Sequence, residues 1–404
     1  YYYRGEYDEF WAMEACNQEP HFHKSADIPG VFSGGWYDPF AVAMTGQYAA
    51  MAAKNSTPQR LDMGPWSHSG RRSGQTYAGD VDFGPDAAYG IEGYGAQRLR
   101  WFDRWLKDIP NGVENDPPVR IFVMGGGDGK RNLDGRLNHG GRWREEQEWP
   151  LARAVSLTYY LRAGGGLSTE SPDAGTPPAS YTYDPHHPVP TISATSGIGE
   201  LLPFPEGFDP EVDDPRAYMR SVFLDGGAHQ KEDPGLLGAR PPYPLLADRP
   251  DVLVFQTEPL LEDLEVTGGT DVNLWISSSA VDTDFTARLL DVYPPSEDYP
   301  EGYHLNIADS IIRARYRNGF DREEMMDSGH VYRVRIALPP TSNLFKAGHR
   351  VRLDVASSNF PRFDVNPNTG EPMGRHTHTV EARNTIYLDR GRSSHIVLPI
   401  VAQR

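Results

Sequence analysis

One cysteine, Cys16, occurs in 404 residues, so no disulfide can form within the chain and stability has to come from packing. That scarcity fits a cytoplasmic location, with secretion left open. No run of 18 apolar residues is present, which removes a membrane-spanning helix. The opening residues YYYRGEYDEFW lack both the basic start and the apolar stretch of a signal peptide. Basic charge is also in deficit, with 39 Lys and Arg against 56 Asp and Glu and a formal net charge of −17. Such a surface repels phosphate backbones and anionic lipid, so neither nucleic acid nor a membrane is expected as a partner. There is no initiator Met before Tyr1 and no internal repeat of fixed period. The chain therefore reads as a piece of a longer polypeptide or a processed form.

What is present is glycine, proline and aromatic side chains. Gly 41, Pro 35 and 11% aromatics imply many turns between short strands, and the length allows two or three domains. Residues 31–37 read as a short strand. A helix follows, with Asp38 suited to its N-cap, Pro39 to its first turn, and Phe40, Met44, Gln47, Tyr48 and Met51 roughly at helical spacing. Arg60 to Met63 resemble a second buried strand, which completes a parallel strand–helix–strand unit. A later helix, about Gly95 to Lys107, places Leu99, Phe102 and Leu106 on one face, expected to cover the sheet.

After Pro117 and Pro118 the pattern changes to alternating or β-branched runs, among them VRIFVMG (119–125), DVNLWIS (271–277), FTARLLDVY (285–293), HVYRVRIAL (330–338) and HRVRLDVA (349–356). Many strands without helices between them predict a β-sandwich, read here as a jelly roll. Residues 163–216, rich in Pro, Gly, Ser and Asp, read as a long surface excursion. Arg350 and Arg352 read as a solvated face.

Asp38 and His68 each lie just past the carboxyl end of a predicted parallel strand, where the loops of α/β sheets gather ligands and catalytic groups. A carboxylate that accepts a hydrogen bond from a ring N–H fixes the tautomer and leaves the other nitrogen as a general base. An Asp ahead of Pro at a helix start is equally an ordinary cap, worth roughly 1 kcal/mol. In α/β-hydrolases the nucleophilic Ser precedes the acid and the His. Only Ser25 and Ser33 precede Asp38, neither sits in a G-x-S-x-G elbow, and no such elbow occurs in the chain. A nucleophile is therefore expected on an upstream part of the same polypeptide.

The segments GGWYDPF (34–40) and GPWSHS (64–69) resemble the Asp and His motifs of the CocE/NonD serine hydrolases, the family of cocaine esterase and X-Pro dipeptidyl-peptidase. YDEFW (7–11), YDPHHPVPT (183–191), RARYR (313–317), FKAGHR (345–350), SSNFPRFDVNPNTG (357–370) and ARNTIY (382–387) extend the resemblance over nearly the whole chain. It implies an α/β plus all-β fold: the C-terminal part of an α/β-hydrolase domain followed by a jelly-roll β-sandwich. Residues 1–29 would end a helical cap, 30–113 would finish the hydrolase domain, and 118–404 would form the sandwich. Asp38 would be the triad acid and His68 the base, in an ester or amide hydrolase that works through an acyl-enzyme. Phe40 would wall the acyl pocket, a buried helix-face position being an equal reading; apart from the resemblance, Trp36 and Trp66 read either as flanking the substrate or as core packing beside the sheet. Pro39 and Phe40 occupy places where amino-acid-ester members carry carboxylates, which favours an uncharged or aromatic acyl group. X-Pro dipeptide cleavage is an alternative. So is a non-catalytic binding module, the jelly roll resembling galactose-binding-like, carbohydrate-binding sandwiches.

No cofactor is implied. The pairs His21 and His23, His186 and His187, and His376 and His378 lack a third ligand at metal spacing and read as surface residues. The Gly run 125–127 lacks the form of a phosphate loop and reads as a turn. Self-association into a homo-oligomer is left open, and the chain by itself is expected to be inactive, with an unpaired sheet edge.

Overall fold

The computed structural model describes residues 6–68, 74–194, 199–201, 206–209, 212, 219–221 and 224–402. Strand β1 (Gly30–Tyr37) leads through helix α1 (Ala41–Lys54) to strand β2 (Gln59–Ser67), and the two strands pair in parallel from Gly30↔Gln59 onward. The connecting helix buries Ala41, Thr45, Tyr48 and Met51, spaced four, three and three residues apart, which is one face of an α-helix. Among the described strands β1 pairs with β2 alone, so its other edge has no described neighbour. Ahead of β1 the described residues hold a 3-10 turn, Glu19–Lys24, and no α-helix.

Asp38 does not cap α1 in the expected way. The helix begins at Ala41 with Phe40 in the cap position, while the Asp38 carboxylate accepts the Phe40 N–H at 2.9 Å and the Asp38 carbonyl accepts the Ala41 N–H at 3.0 Å. A tight turn therefore separates the strand from the helix. Helix α2 (Gly90–Lys107) starts earlier than its sequence pattern implied, and its packing face differs. Leu99, Phe102 and Leu106 are exposed, and Trp101 is the buried side chain. Polar ties fix this orientation: Asp116 receives both Arg60 (2.7 Å) and Arg100, and Arg104 reaches Glu114 (3.1 Å). A groove of about 480 Å³ opens beside α2, lined by Val31, Met44, Arg60, Trp101, Phe102 and Asp116.

Strand β3 (Val119–Gly125) connects this layer to the rest. Its first residues pair in parallel with β2 (Leu61↔Val119, Met63↔Ile121), and residues 141–146 pair antiparallel along it. The long C-terminal strands are β4 (Leu264–Ser278), β5 (Asp284–Tyr293), β6 (Tyr303–Arg313), β7 (Tyr332–Phe345) and β8 (Arg350–Ala356). The hydrogen-bonded path runs β1-β2-β3-β7-β4, then 395–401, 155–162, 166–168 and 253–256, and ends β8-β5-β6. Strand β6 packs across β7 without pairing to it, so the path folds back on itself around a shared core. Every residue of β5 is buried, as expected of a strand covered on both faces.

Part of the expected surface excursion is sheet: residues 179–183 pair with 382–386 and bury Tyr181 and Tyr183. Much of 195–218 lies outside the described residues. Arg352 is not solvated. It is 1% exposed and donates twice to Asp354, at 2.6 and 2.7 Å, because residues i and i+2 of a strand share a face and each satisfies the other's buried charge. No described helix is long and apolar enough to cross a membrane.

Beside Arg352 two histidines are held neutral by their hydrogen bonds. The His304 N–H donates to His229 Nδ1 at 2.9 Å, and Arg352 Nη1 donates to His304 Nδ1 at 3.0 Å, so each Nδ1 has to carry a lone pair. Burial, aided by Lys231, pushes the His229 pKa down from 6.5 to about 4, and burial with the Arg352 charge pushes His304 down to about 3. Unfolded histidines take up protons below about pH 6.5, which these folded ones refuse. Their contribution to stability is thus complete above that pH and is lost as pH falls toward 4 and then 3. Denaturation midpoints measured across this window should fall with acidification, and His304→Gln, which keeps an acceptor, should flatten the fall.

Candidate active site

At the carboxyl ends of the parallel strands β1 and β2, glycine makes the packing around Trp66 achievable. A Cβ on Gly35 would stand 2.0 Å from the Trp66 carbonyl oxygen, and one on Gly64 would stand 2.3 Å from the Trp66 ring. The register then shifts, from Gly35↔Gly64 to Tyr37↔Ser67, so β2 carries one extra residue before it ends. Such an irregularity re-aims the side chains beyond it. It brings the residue after β2, His68, to the residue after β1, Asp38.

His68 Nδ1 lies 3.1 Å from Asp38 Oδ2 and 3.2 Å from Oδ1. The carboxylate is nearly buried, while the imidazole is about half exposed, with relative side-chain accessibilities of 9% and 56%. This is the arrangement of a buried acid that orients an accessible base. The Phe40 ring lies 5.3 Å from the His68 ring, tilted 58°, and is 52% exposed. Phe40 is thus not a helix-face core residue; it covers one side of the imidazole at the surface.

Trp36 and Trp66 are not at this surface, which corrects the expectation that they flank the substrate. Each is 1% exposed. The Trp36 indole donates to Phe122 O at 2.7 Å and stacks near Trp149, and the Trp66 indole donates to Ala87 O at 2.8 Å beside Tyr89 and Trp143. With rings packed and N–H groups satisfied, both belong to the core that supports the strand ends. Tyr37, buried between them and Asp38 in sequence, donates its hydroxyl to the carbonyl of Asn306 at 3.0 Å. Burial, together with the Asp291 charge, raises the Tyr37 pKa far above the ordinary phenol range, so the hydroxyl stays a donor. Tyr37 stands inside the Asp motif and could have been singled out; nothing in the sequence marks Asn306, 269 residues away.

Among the described residues no group of three or more His, Cys, Asp or Glu side chains is placed to hold a metal ion. The histidine pairs take other partners: His23 Nδ1 meets Pro20 O, His186 Nε2 meets Thr379, and His378 meets Glu371.

Residues 111–397 match the X-Pro dipeptidyl-peptidase C-terminal non-catalytic domain, and residues 1–70 match the X-Pro dipeptidyl-peptidase S15 family. Cocaine esterase of Rhodococcus sp. (strain MB1 Bresler) is 34% identical over 387 residues, which are 92% of this chain and 56% of that protein. The chain belongs to the CocE/NonD family. Two solved structures align with nearly the whole chain. An aminopeptidase from a marine-sediment Thaumarchaeota archaeon aligns at TM-score 0.75 and 25% identity, over 98% of this chain and 58% of its own. An α-amino acid ester hydrolase aligns at TM-score 0.72 and 27% identity, over 98% and 59%. The chain spans about half the length of the curated relatives it matches.

The close approach at Gly35 has a measurable consequence. Gly35→Ala forces a methyl into the Trp66 backbone and should cost about 1–3 kcal/mol or more in thermal unfolding. Gly46 lies inside α1 with nothing within 4 Å of its Cβ position. Gly46→Ala should therefore stabilise by about 0.5–1 kcal/mol, through helix propensity alone.

Proposed function

We propose that the protein is a serine hydrolase that cleaves an ester or amide through an acyl-enzyme, with His68 as general base and Asp38 as the acid that orients it. The observation that carries this reading is the His68 Nδ1–Asp38 contact at 3.1–3.2 Å, formed at adjacent strand ends. Membership of the CocE/NonD family supports it. In this reading residues 30–113 finish an α/β-hydrolase domain and 118–404 form a jelly roll. The serine and the oxyanion donors lie on a part of the polypeptide preceding Tyr1, which agrees with the triad order and with the length of cocaine esterase.

The steps follow from the geometry. Asp38 holds the Nδ1–H, so Nε2 carries the lone pair that removes the seryl proton as the oxygen attacks the acyl carbon. The imidazolium formed is stabilised by the Asp38 carboxylate and returns its proton to the departing alcohol or amine. Water, activated by the same Nε2, then releases the acid. No cofactor is required. Phe40, half exposed against the imidazole, offers an apolar wall to an uncharged or aromatic acyl group. The S15 match over residues 1–70 keeps X-Pro dipeptides as a second substrate class.

In the full-length polypeptide, His68→Ala should lower turnover of a chromogenic aromatic ester by about 10⁴-fold or more. Retention of near-normal turnover would overturn the assignment. The 404-residue chain by itself should show no esterase activity until the preceding segment is added in trans. Activity of the lone chain, blocked by a serine-directed acylating agent, would show that the nucleophile lies within it.

A further inference from the structure

The strand that delivers Asp38 loses its regular ladder just before it ends. Among the described residues β1 pairs only with β2, and that pairing shifts register between Gly35 and Tyr37. Two side chains hold the strand there instead. The Trp36 indole donates to the Phe122 carbonyl on β3 at 2.7 Å, and the Tyr37 hydroxyl donates to the Asn306 carbonyl on β6 at 3.0 Å. Tyr37 is the last residue of β1 and directly precedes Asp38. Its partner lies within residues 111–397, which match a domain described as non-catalytic.

Asn306 is built to stay in place. Its Oδ1 accepts the Ser193 hydroxyl at 2.7 Å and the Ala228 N–H at 2.9 Å, so the side chain locks the backbone whose carbonyl receives Tyr37. The pairing of β6 with β5 steps from Leu289↔Ala308 to Leu290↔Asn306, leaving Ile307 as an extra residue. Bulges of this kind re-aim the chain and recur beside active sites. Tyr37 and Asn306 are 1% and 2% exposed. The phenol is also closely enclosed: a Cβ on Gly227 would lie 3.0 Å from its hydroxyl, and the Phe83 ring stands 6.4 Å from its own.

We propose that Tyr37 is a positioning residue of the active site: through its hydrogen bond to the Asn306 carbonyl, β6 sets where the Asp38 carboxylate meets His68. This rests on the reading of His68 as the base and Asp38 as its acid. Asp38 is tied into the turn that follows the strand, since its carboxylate accepts the Phe40 N–H at 2.9 Å and its carbonyl accepts the Ala41 N–H at 3.0 Å. A displacement of Tyr37 therefore passes to the 3.1–3.2 Å contact with His68 Nδ1. A poorer contact weakens the support for the imidazolium formed as the serine attacks, and leaves substrate binding nearly as it was.

The test is kcat and KM for a chromogenic ester with the full-length polypeptide. Tyr37→Phe keeps the ring and removes the tie, so kcat should fall about 3- to 10-fold with KM nearly unchanged. In an Asp38→Asn background the same change should have almost no further effect, because Tyr37 acts through that carboxylate. Tyr183→Phe is the control: its hydroxyl is also buried and also bonds a backbone carbonyl, that of Asn366 at 3.2 Å. It should lower thermal stability as Tyr37→Phe does, with kcat at the wild-type level. If Tyr37→Phe does not fold, Asn306→Ser, which shortens the clamp, is read in the same way. A wild-type kcat in Tyr37→Phe, an undiminished effect in the Asp38→Asn background, or an equal loss in Tyr183→Phe overturns the proposal. Asp38→Asn separates the two ideas: if it keeps wild-type turnover the reading of the site fails, whereas a crippled Asp38→Asn beside a wild-type kcat in Tyr37→Phe removes only the role of Tyr37.

Discussion

The backbone hydrogen bonds of Val119–Gly125 join two structures that would otherwise be separate. Its first residues extend the parallel layer of β1 and β2, and its last two pair with Asn343 and Leu344 of β7. Two parallel strands and a crossover helix cannot bury enough apolar surface to stand alone. Through β3 they join a much larger sheet. The junction depends on Gly125, whose φ of 91° and missing side chain let its Cα approach the Leu344 carbonyl, where a Cβ would lie 2.3 Å away. The placement of Asp38 and His68 inherits its rigidity from this ladder, because β2 pairs with β1 on one side and with β3 on the other.

A second consequence of the long sheet is a core that is polar in places. His139 lies fully buried between Tyr293 and Asn343, and His349 bonds the buried Asp291 at 2.8 Å. Burial pushes the His139 pKa down and keeps that ring neutral. Arg315 meets Asp282 at 2.8 Å with both side chains almost wholly enclosed. Interactions of this type return little net stability, but each leaves an unpaired buried group if the strands slip by a residue. They fix register in long strands whose alternating apolar residues would tolerate other pairings.

Much of this was legible in the sequence, and the failures have physical reasons. The strand–helix–strand unit and the alternating strands after Pro118 follow from local periodicity, which survives into the fold. Asp38 and His68 were legible because each sits just past a strand, at the place where parallel strands converge. For Trp36 and Trp66 the sequence left two readings, flanking the site or packing in the core, because neighbourhood in sequence says nothing about depth; the structure buries both. The stripe of Leu99, Phe102 and Leu106 does not pack on the described sheet, where Trp101 is the buried residue and Arg100 and Arg104 pair with Asp116 and Glu114. Arg352 had a visible sign, Asp354 two residues on, the spacing at which strand neighbours share a face. Asn306 had none, since its partners come together only when the sheet folds back.

The contact between Trp36 and Trp149, with ring centroids 5.6 Å apart, joins the strand that delivers Asp38 to the loop after residues 141–146. Both indoles are shielded from water, at 1% and 7% exposure. The indole pair therefore couples the packing of the strand that delivers Asp38 to that of the Trp149 loop, so a shift at one is felt at the other.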